Sequence, residues 1–169
     1  GTGLQEDAFA IRAMADAGLS FLVANSFSKN FSFYAERCGG LSVVCASRDE
    51  AERVLGQLKA IVRRIYSNPP MHGGQVTSTV LNDPELYGLW EREVAEMRAR
   101  IAFVRQQAHE QLKVKLPGYD SSYFVTQQGM FSYTGLSIAQ LRALRDTHGV
   151  YIIDSGRLSV PGLNTHNID

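Results

Sequence analysis

Apolar positions switch between two spacings along this chain, and each switch marks an element. Residues 5–17 carry a helical period of apolar positions, with Gly18 as a plausible stop. Residues 19–24 are a short continuous apolar run and predict a buried strand, and residues 41–46 predict another. Ser47-Arg48-Asp49-Glu50 places a hydroxyl three residues before a carboxylate, so a helix should open near Arg48. Its apolar face runs through Val54, Leu55, Leu58, Ile61 and Val62 to about Tyr66, where Asn68-Pro69-Pro70 breaks it. A further helix is expected over residues 73–81.

Asp83-Pro84 then opens the longest helix, with Asp as cap and Pro at the first helical position. Trp90, Val94, Met97, Ile101, Val104 and Ala108 follow at steps of four and three, which is one apolar seam. That stripe reads as core rather than as a cofactor box. The helix should end before Pro117-Gly118. Residues 123–126 and 129–133 are strand candidates. Ser137-Ile138-Ala139-Gln140 is a second capping box, opening a helix that stops at Gly149. Residues 150–153 and 157–160 read as short strands around the turn Asp154-Ser155-Gly156. The first part therefore has the helix–strand–loop–strand–helix order of an α/β sheet, and the last part that of a small α+β unit. A boundary is expected near residue 96, giving segments 1–96 and 97–169, with the helix of residues 84–115 bridging them.

Composition narrows the function classes. The chain has 169 residues, 44% hydrophobic and 20% charged, with 17 basic and 17 acidic residues and net charge +0. A general nucleic-acid binder would need a basic excess, so no nucleic-acid partner is expected. No apolar stretch reaches membrane-spanning length and no signal peptide opens the chain, so no membrane partner is expected. Cys38 and Cys45 lack metal-knuckle spacing and suggest free thiols in a reducing, cytoplasmic compartment. His72, His109, His148 and His166 are scattered and form no metal-ligand pattern. The chain opens on Gly1 rather than Met and stops on polar residues of the kind that begin a helix. It is therefore expected to be part of a longer protein.

Lys29 carries the chemistry. It lies in Asn25-Ser26-Phe27-Ser28-Lys29-Asn30-Phe31-Ser32-Phe33-Tyr34-Ala35-Glu36-Arg37-Cys38-Gly39-Gly40, directly after a predicted strand. Phe27, Phe31, Phe33 and Tyr34 should disfavour its charged form and push its pKa down. A neutral amine attacks an aldehyde and forms a Schiff base. Ser26 and Arg37 add a hydroxyl and a guanidinium suited to a phosphate. Schiff-base lysine with phosphate ligands is what pyridoxal phosphate needs.

Four ordered segments then carry a resemblance. They are residues 26–31 with Tyr34, Glu36-Arg37 and Gly39; Arg63 with Tyr66-Ser67-Asn68-Pro69-Pro70; Gln128-Gly129-Met130-Phe131-Ser132-Tyr133-Thr134-Gly135-Leu136; and Ser155-Gly156-Arg157-Leu158-Ser159-Val160 with Gly162-Leu163-Asn164. With these the chain resembles, from end to end, the C-terminal part of a class I aminotransferase of the aspartate/aromatic-amino-acid group. The wording of Gly39-Gly40-Leu41-Ser42-Val43 and of residues 129–133 is closer to the aromatic branch.

The resemblance implies a fold: the C-terminal part of the fold-type I pyridoxal-phosphate large domain plus a small α+β domain, joined by a long helix. It implies that Lys29 binds the cofactor and then moves the substrate α-proton. Ser26 and Arg37 would hold the cofactor phosphate, and Arg157 would clamp the substrate α-carboxylate. Arg63 would meet the distal carboxylate of dicarboxylic substrates from the neighbouring subunit of a homodimer, with Ser67 near the same pocket. Phe131 would line the pocket. The implied reaction is amino-group transfer from an aromatic or dicarboxylic amino acid to a 2-oxo acid, typically 2-oxoglutarate. The family's aspartate at the pyridine nitrogen, its ring-stacking aromatic and part of its phosphate cup precede the matched segments. Little or no activity is therefore expected of the chain alone. A non-catalytic fragment and a decarboxylase or lyase on the same fold are the competing readings.

Overall fold

The computed structural model describes residues 1–168. It comprises two compact units, one over Thr2–Val94 and one from Ala95 onward.

In the first unit the N-terminal helix is broken into α1 (Leu4–Asp7) and α2 (Phe9–Asp16), and Gly18 follows at φ 70. Positive φ there costs glycine nothing and ends the helix. Strands β1 (Phe21–Ser26) and β2 (Gly39–Val44) pair antiparallel from Phe21↔Val44 to Ser26↔Gly39. The expected strands thus exist, each shifted by about two residues. The pair closes tightly at its loop end, where a Cβ on Gly39 would run into the Asn25 carbonyl oxygen.

Helix α3 (Arg48–Tyr66) starts where the capping box predicts. The Ser47 hydroxyl accepts the Glu50 N–H at 3.2 Å, while Glu50 reaches back one residue further than expected, to the Ala46 N–H at 2.8 Å. Helix α4 (Met71–Asn82) is slightly longer than predicted. Its buried Gly73 lies against Cys38, whose Cβ and Sγ would sit 2.8 and 2.9 Å from an added Cβ.

Helix α5 (Pro84–Lys115) runs through both units. The Asp83 carboxylate caps it, accepting N–H bonds from Glu85 at 2.9 Å and Leu86 at 3.0 Å. The apolar seam is buried in its second half at Val104 and Ala108, whereas Met97 is exposed. Val104, Ala108, Phe124 and Val160 form the core of the second unit, with Ile101, Leu112, Tyr123 and Leu158 packed against them.

Two strand expectations fail in this unit. Residues 123–126 form a single helical turn, α6 (Tyr123–Thr126). Asp120 turns the chain by accepting the Ser122 N–H at 2.9 Å, and the N–H groups of Phe124, Val125 and Thr126 then bond to the Ser121 and Ser122 carbonyls. That local closure outweighs the strand preference of Tyr, Phe, Val and Thr. Residues 150–153 form no strand either. Helix α7 (Ile138–His148) has its full capping box at Ser137 and Gln140 and ends at Gly149, φ 66. Val150 spends its N–H on the Leu144 carbonyl at 3.2 Å, completing the helix C-cap. The Arg157 strand pairs elsewhere: β3 (Phe131–Tyr133) and β4 (Arg157–Ser159) are antiparallel in the register Phe131↔Ser159, Ser132↔Leu158, Tyr133↔Arg157. A 3-10 turn over Val160–Gly162 follows.

Candidate active site

The β1–β2 loop brings Ser26, Lys29 and Arg37 onto one segment. Phe27 donates its N–H to the Cys38 carbonyl at 3.1 Å, which carries the strand pairing one step into the loop. The Ser26 hydroxyl oxygen accepts the Ser28 N–H at 3.2 Å and keeps its own proton to donate. Turn bonds from the Phe31 N–H to the Phe27 carbonyl and from the Ser32 N–H to the Lys29 carbonyl, both 3.2 Å, set Lys29 on the outside of the loop. Its side chain is exposed.

The expected aromatic surround of the amine is not what forms. Only Tyr34 meets it, with Nζ 4.5 Å from the ring centroid, a placement that attracts a cation. Phe27 and Phe33 pack on Phe31 instead, and Phe31 stacks on Trp90 at 5.1 Å between centroids. Aromatic rings gain more from each other and from burial than from an exposed alkyl-ammonium chain. Trp90 also donates its indole N–H to the Asn30 carbonyl at 2.8 Å, so the loop is fastened to α5 from below.

Arg37 sits at φ 51, uncommon for a residue with a side chain. One Nη1 N–H holds the Tyr34 carbonyl at 2.9 Å. Among the described residues no other partner engages its guanidinium, and no carboxylate pairs with it. A free hydroxyl, a largely unengaged guanidinium and an exposed amine on one loop form a donor set that fits a phosphorylated aldehyde such as pyridoxal phosphate.

Arg63 and Ser67 are brought together one helical turn apart at the end of α3. Nη1 of Arg63 donates to the Ser67 hydroxyl at 2.6 Å. Ser67 has φ 69 and ψ −67, and the Asn68 N–H bonds to the Tyr66 carbonyl at 2.9 Å across it. This is a γ-turn of the rare, strained hand.

Arg157 and Phe131 are brought together on the β3–β4 ribbon. The Arg157 guanidinium carbon lies 4.6 Å from the Phe131 ring centroid, and both side chains are exposed. Among the described residues no carboxylate pairs with Arg157. A planar cation resting on a ring keeps its edge N–H groups open for a two-pronged acceptor.

One residue was not singled out from the sequence. Arg105 is only 5% exposed and gives all its donors to α6 and to the segment leading into β3: Nε and Nη2 to the Gly129 carbonyl at 3.0 and 2.6 Å, Nη2 to the Phe131 carbonyl at 2.7 Å, and Nη1 to the Phe124 carbonyl at 3.0 Å and the Ser132 hydroxyl at 2.6 Å. Burial lowers its pKa from the ordinary arginine value. The sequence held only a shared signal: Arg105 lies four residues after Ile101 and three before Ala108 on the apolar face of α5, and Arg98 lies at the same spacing between Val94 and Ile101.

Among the described residues no group of histidine, cysteine or carboxylate side chains could hold a metal ion, and no helix is long and apolar enough to cross a membrane.

The sequence profile of the family "Aminotransferase class I and II" matches residues 1–169. Tyrosine aminotransferase of Klebsiella pneumoniae is 57% identical over 168 residues, covering 99% of this chain and 42% of that protein. Aspartate aminotransferase of Pseudomonas aeruginosa is 50% identical over 169 residues, covering 100% of this chain and 42% of that protein. A solved structure of the aromatic-amino-acid aminotransferase from Burkholderia pseudomallei, covalently bound to pyridoxal phosphate, superposes with a TM-score of 0.94 at 48% identity, covering 98% of this chain and 41% of that one. The chain thus spans about two fifths of the length of the relatives it matches, and its fold is the corresponding part of the fold-type I enzymes. On the profile match and on these identities, the chain belongs to the class I and II aminotransferase family.

Proposed function

We propose that the protein of which this chain is part is a pyridoxal-phosphate-dependent aminotransferase, moving an amino group from an aromatic or dicarboxylic amino acid to 2-oxoglutarate. The observation that carries this reading is the β1–β2 loop, where Lys29, Ser26 and Arg37 share one segment. When bound, the cofactor supplies an aldehyde for an amine and a conjugated ring that takes up electrons. Lys29 holds it through Nζ and, once released, carries the substrate α-proton. Ser26 donates its hydroxyl proton to the phosphate, and Arg37 adds Nε and Nη2. Arg157 receives the α-carboxylate on the face of Phe131. Arg63, steadied by Ser67, meets a second carboxylate from the neighbouring subunit of a homodimer. The large and small domains meet near residue 96, within α5, and the protein works in the cytoplasm. Aromatic preference is favoured by the higher identity to the tyrosine enzyme, 57% against 50% for the aspartate enzyme.

The test is to incubate the chain with pyridoxal phosphate, reduce with borohydride and map the modified residue by mass spectrometry. Labelling confined to Lys29 is expected. Labelling spread evenly over the exposed lysines would overturn the assignment of Lys29 in the isolated chain.

A further inference from the structure

Arg105 is a buried cation with no carboxylate partner among the described residues. A guanidinium has five N–H donors, and the bonds of Arg105 use every nitrogen: Nε once, Nη1 twice and Nη2 twice. All acceptors are carbonyl or hydroxyl oxygens of residues 124–132. Burying a charge is costly, and here the cost is offset by five bonds to one short stretch of chain, whose carbonyls would lose their donor in an apolar variant.

Their common product is the placement of one peptide segment. Gly129 sits at φ 83, and its carbonyl accepts from both Nε and Nη2 of Arg105. Phe131 is held by its carbonyl and Ser132 by its hydroxyl. Ser132 is 2% exposed and points inward, so Phe131 and Tyr133 face outward on the alternation of β3. Across the ladder Leu158 is inward, and Arg157 faces outward beside Phe131. Arg105 fixes the underside of the ribbon on whose outer face Arg157 lies against the Phe131 ring.

We infer that Arg105 is a positioning residue for substrate carboxylate binding, acting through residues 129–132 on the Phe131–Arg157 pair. This rests on the reading of Arg157 as the carboxylate clamp. A lysine in its place keeps the charge but offers a point-like head with three donors and no fork, so the segment loses its fixed geometry.

The experiment uses a full-length polypeptide carrying this segment, loaded with pyridoxal phosphate and assayed with phenylalanine and 2-oxoglutarate. For Arg105→Lys, KM for both substrates is expected to rise about tenfold while kcat stays within about threefold, the pattern of lost uniform binding. The cofactor's visible absorbance should be unchanged. Ser132→Ala removes one acceptor and should raise KM about threefold; it decides the question if Arg105→Lys does not fold. Arg105→Lys added to Arg157→Lys should raise KM less than twofold further, because the clamp is already lost. A lower Tm with unchanged KM in both Arg105→Lys and Ser132→Ala would overturn the inference and leave Arg105 a structural residue. Arg157→Lys with unchanged KM would instead overturn the clamp reading beneath it.

Discussion

Ser67 shows how much one residue's backbone sets at the candidate site. Its φ of 69 and ψ of −67 hold a γ-turn that aims the hydroxyl at Arg63, 2.6 Å away. Such a conformation costs roughly 1–3 kcal/mol in a residue with a side chain. Glycine adopts it freely but gives up the hydroxyl, whose exposed hydrogen bond contributes about 0.5–1.5 kcal/mol. Ser67→Gly should therefore leave urea-unfolding stability within about 1 kcal/mol of the original, whereas Ser67→Val, β-branched at positive φ, should lower it by more. Equal losses in the two variants would mean that the strain is not stored at this residue. Lys29 makes a complementary point. Its position and type were legible in the sequence, but its surroundings were not, because the sequence cannot tell which of four nearby rings turn toward Trp90.

At the scale of elements, legibility followed local hydrogen bonding. Helices α3, α5 and α7 begin where Ser47, Asp83 and Ser137 announce them, since a cap is satisfied within three residues and needs nothing distant. Residues 123–126 misled for the same reason in reverse: strand-forming side chains suggested pairing, yet Asp120 offered a nearer closure. Residues 150–153 had the apolar run of a strand, but the Val150 N–H is spent on the C-cap of α7, and Arg157 pairs with Tyr133 instead. Arg105 was missed because a lone arginine on a helix is ordinarily solvated. Its place between Ile101 and Ala108 does not set it apart, since Arg98 stands at the same spacing between Val94 and Ile101. The contact between α4 and the β1–β2 loop was equally silent, since Gly73 and Cys38 are 35 positions apart in the sequence. With 2.8 Å between a new Cβ and that of Cys38, Gly73→Ala should destabilise the chain by about 1–3 kcal/mol. Adding Cys38→Gly should recover part of that loss in a double-mutant cycle read by urea unfolding. A strictly additive cycle would count against this packing.

For the molecule as a whole, the titrating groups with a clear shift lie in the second unit and limit it from both sides. Ser122, through its hydroxyl and backbone N–H, holds the Asp120 carboxyl below the usual carboxylate range. A depressed folded-state value gives stability that is complete above the unfolded pKa of about 3.9 and is lost as pH falls through the folded value. Burial, with the Tyr119 hydroxyl 3.3 Å away, pushes Tyr123 above the ordinary tyrosine value. A raised value gives stability that is complete below the unfolded pKa of about 10 and is lost as pH rises above it. Urea midpoints should therefore lose the Asp120 contribution toward acid pH and the Tyr123 contribution toward alkaline pH. Asp120→Asn should remove its contribution to the acid limb and Tyr123→Phe its contribution to the alkaline limb. Limbs that survive both substitutions unchanged would assign the titration elsewhere. Large apolar side chains such as Ile65, at 71% exposure, and Val114, at 77%, stand in solvent. Against that background, the fastening of the β1–β2 loop to α5 has an optical consequence. Trp90 is the chain's single tryptophan, and its indole sits on the carbonyl of the residue next to Lys29. The intrinsic fluorescence of the chain therefore originates mainly beside the candidate cofactor lysine, and its emission reports on that loop without any introduced label.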